Sequence, residues 1–184
     1  FCSVTYGANG GASENTVKVA NHIKNELKTD VLAHLTCVSS SKDDIDEKLS
    51  DIKNNNIENI LALRGDIMDK DKFEQKKDLL YASELIEYIK ENYDFCVGAA
   101  CYPEIHPESR NKDTDLAFLK LKQEVGADFL TTQMFFDNKK YFEFVEKAKQ
   151  MGINVPIIPG IKPISVKKHL NIIPQAFFLD FPEE

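Results

Sequence analysis

Short apolar runs alternate along this chain with longer stretches in which apolar residues recur every third or fourth position. Six runs have the length and composition of buried strands: "FCSVTY" from Phe1, "VLAHLTC" from Val31, "NILALRGD" from Asn59, "FCVGAACYP" from Phe95, "FLTTQMFFD" from Phe129 and "PIIPGIKPI" from Pro156. The pattern predicts strands over 1–6, 31–37, 59–64, 95–101, 129–134 and 155–160. Between them, apolar stripes at helical spacing predict five helices. Val17, Ala20, Ile23 and Leu27 mark the first, and Ile45, Leu49 and Ile52 the second. Leu85, Ile86 and Ile89 mark the third, Leu116, Leu119 and Val125 the fourth, and Phe142, Val145, Ala148 and Met151 the fifth. Ser13 or Asn15 suits the cap of the first helix, Ser41 with Asp44 reads as a capping box, and Gly126 and Gly152 sit where helices stop.

Successive strand starts lie 30, 28, 36, 34 and 27 residues apart. A strand and a helix repeated at that interval form parallel βα units. An open doubly wound sheet of the dinucleotide-binding kind would carry Gly-x-Gly-x-x-Gly after its first strand. Gly7, Gly10 and Gly11 do not have that spacing. A barrel instead gathers its chemistry at the C-terminal ends of many strands. Thr5, Tyr6, His34, Arg64, Asp66, Tyr102, His106 and Gln133 all fall at or just past predicted strand ends. Ser3 with Thr5, Ala62 with Arg64, and Thr131 with Gln133 share faces by the period of two, which suggests a lumen that turns polar at its rim. The expected fold class is therefore α/β, a (β/α)8 TIM barrel. Eight units take about 250 residues, so the six visible here are expected to be an incomplete barrel. The expectation is a single catalytic-type domain over 1–184, truncated at both ends, without its first strand and at least one C-terminal unit.

Composition narrows the function classes. The chain has 184 residues, 42% hydrophobic and 29% charged, the balance of a soluble globular protein. Its net charge of −7 argues against nucleic acid or an anionic membrane surface as partner. No apolar run reaches membrane-spanning length, and "FCSVTYGANG" has neither the basic nor the long apolar segment of a signal peptide. Cys2, Cys37, Cys96 and Cys101 form no Cys-x-x-Cys pair and have no histidine at zinc-ligand spacing. They read as reduced structural thiols, with a cytoplasmic location and no metal expected.

The strand-end residues differ in what they suggest singly. Arg64 and Asp66 are an adhesion tripeptide with Gly65, a structural ion pair, or the mouth of an active site. Tyr102 and His106 sit in "YPEIHPE", where Pro103 and Pro107 stiffen a loop suited to a flat ligand. Asp115 and Lys122, taken alone, read as surface helix residues. A buried Gln133 amide would need partners, which a ligand can supply.

The blocks "SVTYGAN", "AHLTC", "LALRGD", "LYASELI", "YPEIHPE", "TTQMFFD" and "IIPGIKPIS" occur in that order. Together they resemble the methylenetetrahydrofolate reductase family over essentially the whole chain. The resemblance implies an FAD-dependent reductase that converts 5,10-methylenetetrahydrofolate to 5-methyltetrahydrofolate with NAD(P)H in a ping-pong sequence, feeding methionine synthesis. It also implies a homo-oligomer. By resemblance, Thr5 contacts the nicotinamide nucleotide, Tyr6 and Ala8 line the flavin, and His34 binds it. Arg64, Gly65 and Asp66 run along the isoalloxazine and ribityl chain, and Tyr81 and Ala82 touch FAD. Tyr102, His106, Asp115 and Lys122 hold the rest of the cofactor, and Gln133 serves folate and nucleotide alike. Asp66 is the catalytic residue implied, its carboxylate facing the cation that forms when the folate bridge opens. The family's proton-donating glutamate is expected upstream of Phe1. Phe118 and Leu121 depart from the polar FAD contacts of some members. A different flavin barrel of the proline dehydrogenase type and an inactive barrel fragment stay open as alternatives.

Overall fold

The computed structural model describes residues 1–5, 13–38, 40–66 and 78–182. Its strands are β1 (Cys2–Val4), β2 (Val31–Thr36), β3 (Asn59–Leu63), β4 (Cys96–Cys101), β5 (Phe129–Thr132) and β6 (Ile157–Ile158). Its helices are α1 (Ser13–Asn21), α2 (Lys42–Asn54), α3 (Ala82–Asn92), α4 (Lys112–Glu124), α5 (Asn138–Gln150) and α6 (His169–Phe177). Within each unit, strands neighbour one another in chain order, as successive βα units dictate. The described residues divide into two compact units, Phe1–Ala99 with Val125–Asp128, and Ala100–Glu124 with Phe129–Glu184.

In the first unit, β1, β2, β3 and β4 run parallel, with Ser3 opposite Leu32, His34 opposite Leu61 and Ile60 opposite Val97. Alternation along these strands separates two faces. Val31, Ala33, Leu35, Ile60, Ala62, Val97 and Ala99 are buried. Ile45, Leu49 and Ile52 of α2, and Leu85, Ile86 and Ile89 of α3, are buried too, and α3 packs on β3. The opposite face carries Ser3, His34, Thr36 and Asn59, all only partly covered or exposed. The expected capping box forms: Ser41 Oγ accepts from Asp44 N at 3.2 Å, and an Asp44 oxygen accepts from Ser41 N at 2.7 Å. Tyr88 and Tyr93 donate their hydroxyls to the two oxygens of Asp46, at 2.8 and 2.9 Å, tying α3 to α2. Helix α1 runs into a π-helical turn at His22–Glu26, where Leu27 N reaches back to His22 O at 3.1 Å. The cap assigned to Ser13 or Asn15 lies outside the described side chains.

In the second unit, β5 and β6 pair in parallel, Leu130 opposite Ile157. Helix α4 holds the loop before β6: Lys120 Nζ donates to Gly152 O at 2.6 Å, and the Gln123 side-chain oxygen accepts from Asn154 N at 2.6 Å. Leu116, Leu119, Leu130, Phe144, Ala148 and Ile153 are buried in this unit.

Every predicted strand is present, but all six are shorter than the pattern suggests. Strand β6 keeps two residues because Pro156 and Pro159 flank it and neither has an N–H for the ladder. Strand β3 stops at Leu63 because the chain turns at Gly65, whose φ is +89°. Helix α6 is not anticipated by the pattern; it holds Pro174 in its interior and ends at Phe178 with φ +55°. Among the described residues no helix is long and apolar enough to cross a membrane.

Candidate functional site

The strand ends of the first unit bring two sets of groups into order. On the partly covered face, His34 Nε2 lies 2.6 Å from Ser3 Oγ. His34 is half-buried, and that burial lowers its pKa from the ordinary 6.5, so the ring is neutral at neutral pH. Thr5 is exposed, and its carbonyl accepts from Thr16 Oγ1 at 3.2 Å. Tyr6 and Ala8 lie outside the described residues.

The second set is the Arg64-Gly65-Asp66 turn. Arg64 O accepts from Val38 N at 2.8 Å, and Leu63 O accepts from Cys37 N at 3.2 Å, so the turn is stitched to the loop that follows β2. A Cβ on Gly65 would meet Val38 Cγ1 at 2.7 Å and Thr36 Cβ at 3.1 Å. With φ at +89° as well, glycine is required there for both conformation and space. Arg64 and Gly65 are half-buried and Asp66 is exposed. The Cys37 thiol is pushed up to about 11, by burial first, while the Arg64 charge acts on it in the opposite sense. A displayed adhesion tripeptide needs an accessible arginine on a free loop; here Arg64 is half-buried and its carbonyl is bonded to Val38 N.

Strand register corrects one expectation. Ser3 lies on the His34 face, as Thr5 would by parity. Ala62 lies opposite Leu35 on the fully buried face, away from His34, while Arg64 lies past the end of β3, where strand parity no longer assigns a face. The polar pairs therefore do not all share one lumen face. Only the Gly65 turn, beyond the last ladder pair, redirects the chain before Asp66. Tyr81 is exposed and Ala82 half-buried, at the start of α3, where Glu84 accepts from Tyr81 N at 3.2 Å.

The second unit holds the proline loop. The Tyr102 and His106 rings meet edge to face, centroids 4.7 Å apart and perpendicular. His106 Nδ1 accepts from Glu108 N at 3.1 Å, so in the neutral ring Nε2 carries the proton and is a donor. Asp115 accepts from His106 N at 3.0 Å through one oxygen and from Ser109 Oγ at 3.3 Å through the other. Lys122 Nζ donates to Ala100 O at 2.8 Å. Neither is the solvated helix residue that its position alone suggests: both hold the end of β4 and the loop after it. Buried Cys101 has its thiol pushed up to about 12, by that burial first. Gln133 is half-buried, its N donates to Cys101 O at 2.7 Å, and its side-chain oxygen accepts from Met134 N at 2.9 Å. Its NH2 has no protein partner among the described residues.

Sequence reasoning passes over two features. Ser3 has no signal except its place two residues before Thr5. Glu104 lies within "YPEIHPE" but carries no aromatic or imidazole group to single it out. Its side chain, 10% exposed, accepts from Lys140 Nζ at 2.9 Å and from Asp180 N at 3.2 Å, anchoring the loop to the C-terminal segment. An open cleft of about 350 Å³, solvent at its mouth included, lies beside it, between Tyr102, Pro103 and Asp115 and the α5 residues Lys140, Phe144 and Lys147. Among the described residues no group of three His, Cys, Asp or Glu is placed to hold a metal.

The family model for methylenetetrahydrofolate reductase matches residues 1–184. The chain belongs to the methylenetetrahydrofolate reductase family. It is 42% identical over 167 residues to methylenetetrahydrofolate reductase 1 of Schizosaccharomyces pombe, covering 89% of this chain and 28% of that protein. It is 41% identical over 165 residues to 5,10-methylenetetrahydrofolate reductase of Escherichia coli, covering 90% of this chain and 54% of that protein. The chain thus spans between about a quarter and about half the length of these reductases. Solved structures agree on the fold. The phosphoenolpyruvate phosphomutase of Streptomyces platensis superposes with a TM-score of 0.55 at 13% identity, over 89% of this chain and 64% of that one. An uncharacterized Clostridium thermocellum protein that binds two copies of 5-methyl-5,6,7,8-tetrahydrofolic acid superposes with a TM-score of 0.51 at 16% identity, over 98% of this chain and 71% of that one. The fold is α/β, with parallel strands of the TIM-barrel type seen in such neighbours.

Proposed function

We propose that this protein takes part in the reduction of 5,10-methylenetetrahydrofolate to 5-methyltetrahydrofolate, with FAD as resident cofactor and NAD(P)H as reductant. The observation that carries this reading is the family match along the whole chain. The Clostridium neighbour's folate ligand is in keeping with it.

The residues present fit a flavin nucleotide. In the first unit, His34 offers a ring nitrogen on a partly covered sheet face, and the Gly65 turn has no room for a Cβ. In the second, the Tyr102 and His106 rings are fixed edge to face and His106 presents an Nε2 donor. His34, Arg64, Gly65, Tyr81, Ala82, Tyr102 and His106 are each proposed as FAD contacts, with Thr5 proposed for the nicotinamide nucleotide and Tyr6 and Ala8 for the flavin. Asp115 and Lys122 act one step back, because their polar atoms bind the loop and the strand end. FAD, when bound, supplies a two-electron carrier that accepts hydride from the nucleotide and passes it to the folate.

Asp66 is proposed to stabilise positive charge that develops on the folate as its methylene bridge opens. Gln133 is proposed to meet folate and nucleotide through its NH2, which has no partner among the described residues. Single-turnover kinetics of the Asp66→Asn variant of the full-length protein test the reading. The folate half-reaction slows by roughly 10–1000-fold, equivalent to about 1.4–4 kcal/mol in the transition state. Reduction by the nucleotide is little impaired, because losing a negative charge near the cofactor favours its electron-rich form. Equal slowing of both half-reactions with FAD fully bound refutes the role given to Asp66.

A further inference from the structure

The contact between Ser3 and His34 has no place in the assignments above, and it has the geometry of a tautomer lock. The two residues stand on neighbouring parallel strands. Ser3 is opposite Leu32, so His34 is the next residue along on the same face of β2. Their side-chain atoms approach to 2.6 Å at Nε2. Among the described residues this is the only side-chain hydrogen bond either of them makes.

A neutral imidazole has one N–H and one bare nitrogen. Burial keeps His34 neutral. The bare nitrogen of an imidazole is a stronger acceptor than a hydroxyl oxygen, so the favoured arrangement has the serine O–H pointing to it. That places the ring proton on Nδ1, the minority form of a free histidine in water. Nδ1 has no partner among the described residues.

We propose that Ser3 is a positioning residue: its hydroxyl donates to His34 Nε2 and holds the ring as the Nδ1–H tautomer, making Nδ1–H the donor for an acceptor atom of the bound flavin nucleotide. The acceptor is an uncharged or anionic oxygen or a bare ring nitrogen, since a neutral N–H has nothing to offer a donor. The inference rests on the reading that His34 contacts FAD. It adds the atom through which the contact is made and the residue that selects it.

The test uses the full-length protein labelled with 15N-histidine, with His34 signals assigned by their loss in His34→Gln. In the FAD-free wild type, the nitrogen-15 shifts and two-bond couplings report a bare Nε2 and a protonated Nδ1. Ser3→Ala moves the ring to the Nε2–H form or to a mixture, and Ser3→Thr, which keeps the hydroxyl, retains the wild-type signature. With FAD loaded, Ser3→Ala releases it about 3–10-fold faster, the effect of one hydrogen bond, while Ser3→Thr stays close to wild type. An unchanged tautomer in Ser3→Ala overturns the proposal; the reading of His34 as a cofactor contact then stands or falls separately on FAD release from His34→Gln. A switched tautomer with unchanged FAD release from both Ser3→Ala and His34→Gln overturns that reading, and the positioning role with it.

Discussion

Replacing Gly65 by Ala tests whether the turn between β3 and Asp66 is set by space as well as by backbone conformation. Two separate costs arise at this position. An L-residue at φ +89° is held where its side chain crowds the neighbouring peptide groups, at about 1–2 kcal/mol. The new methyl also lands 2.7 Å from Val38 Cγ1 and 3.1 Å from Thr36 Cβ, both on a β-branched side chain close to the backbone. Overpacking of this kind costs about 1–3 kcal/mol. The alanine lowers unfolded-chain entropy, which offsets about 0.4–1 kcal/mol. The expected net loss is about 2–4 kcal/mol. Gly152 provides the control. Its φ is +76°, but its nearest neighbour would be the Lys120 ammonium at 3.5 Å, an ordinary contact at the far end of a long side chain. Gly152→Ala keeps the conformational cost without the clash, so about 0.5–1.5 kcal/mol is expected. Urea unfolding of both variants of the full-length protein, followed by far-ultraviolet circular dichroism, measures the difference. Equal destabilisation would show that Val38 and Thr36 yield freely and that close packing does not fix the turn.

Two further outcomes follow from burial. Cys2 and Cys96 are exposed, whereas Cys37 and Cys101 are buried with thiols pushed up to about 11 and about 12. Brief alkylation at pH 8 should label the first two and spare the second two until urea is added; mass spectrometry of the peptides reads this, and rapid native labelling of Cys101 contradicts it. His34 binds a proton less readily in the fold than in the unfolded chain, because burial disfavours its charged form. Its contribution to stability is therefore complete above about 6.5 and is lost as pH falls through the lower folded value. The stability of wild type relative to His34→Gln should fall on acidification over that window, and a difference that stays flat or rises refutes the assigned burial.

The alternation of strands and helices was legible in the chain because it is a local property. Whether apolar residues recur at every second or every fourth position is decided within a dozen residues. The capping box at Ser41 is equally local, and Gly126 and Gly152 take the positive φ values expected of helix stops. The short interval between units also left parallel pairing as the natural outcome. Helix α6 has no such local signal, because Pro174 sits in its interior, where a proline normally breaks a helix.

What the sequence alone did not determine was which side chains meet. Register is a long-range property, since a strand is placed by the neighbours it pairs with. Only the pairing of Ala62 with Leu35 shows that Ala62 stands on the face opposite to His34. Asp115 and Lys122 looked like outer helix residues because helical position says nothing about a loop folding back from the preceding strand. Their contacts with His106 N and Ala100 O exist only once that loop is placed. Ser3 and His34 are separated by 31 residues in the chain and 2.6 Å in space. No periodicity connects them; the pairing of β1 with β2 does.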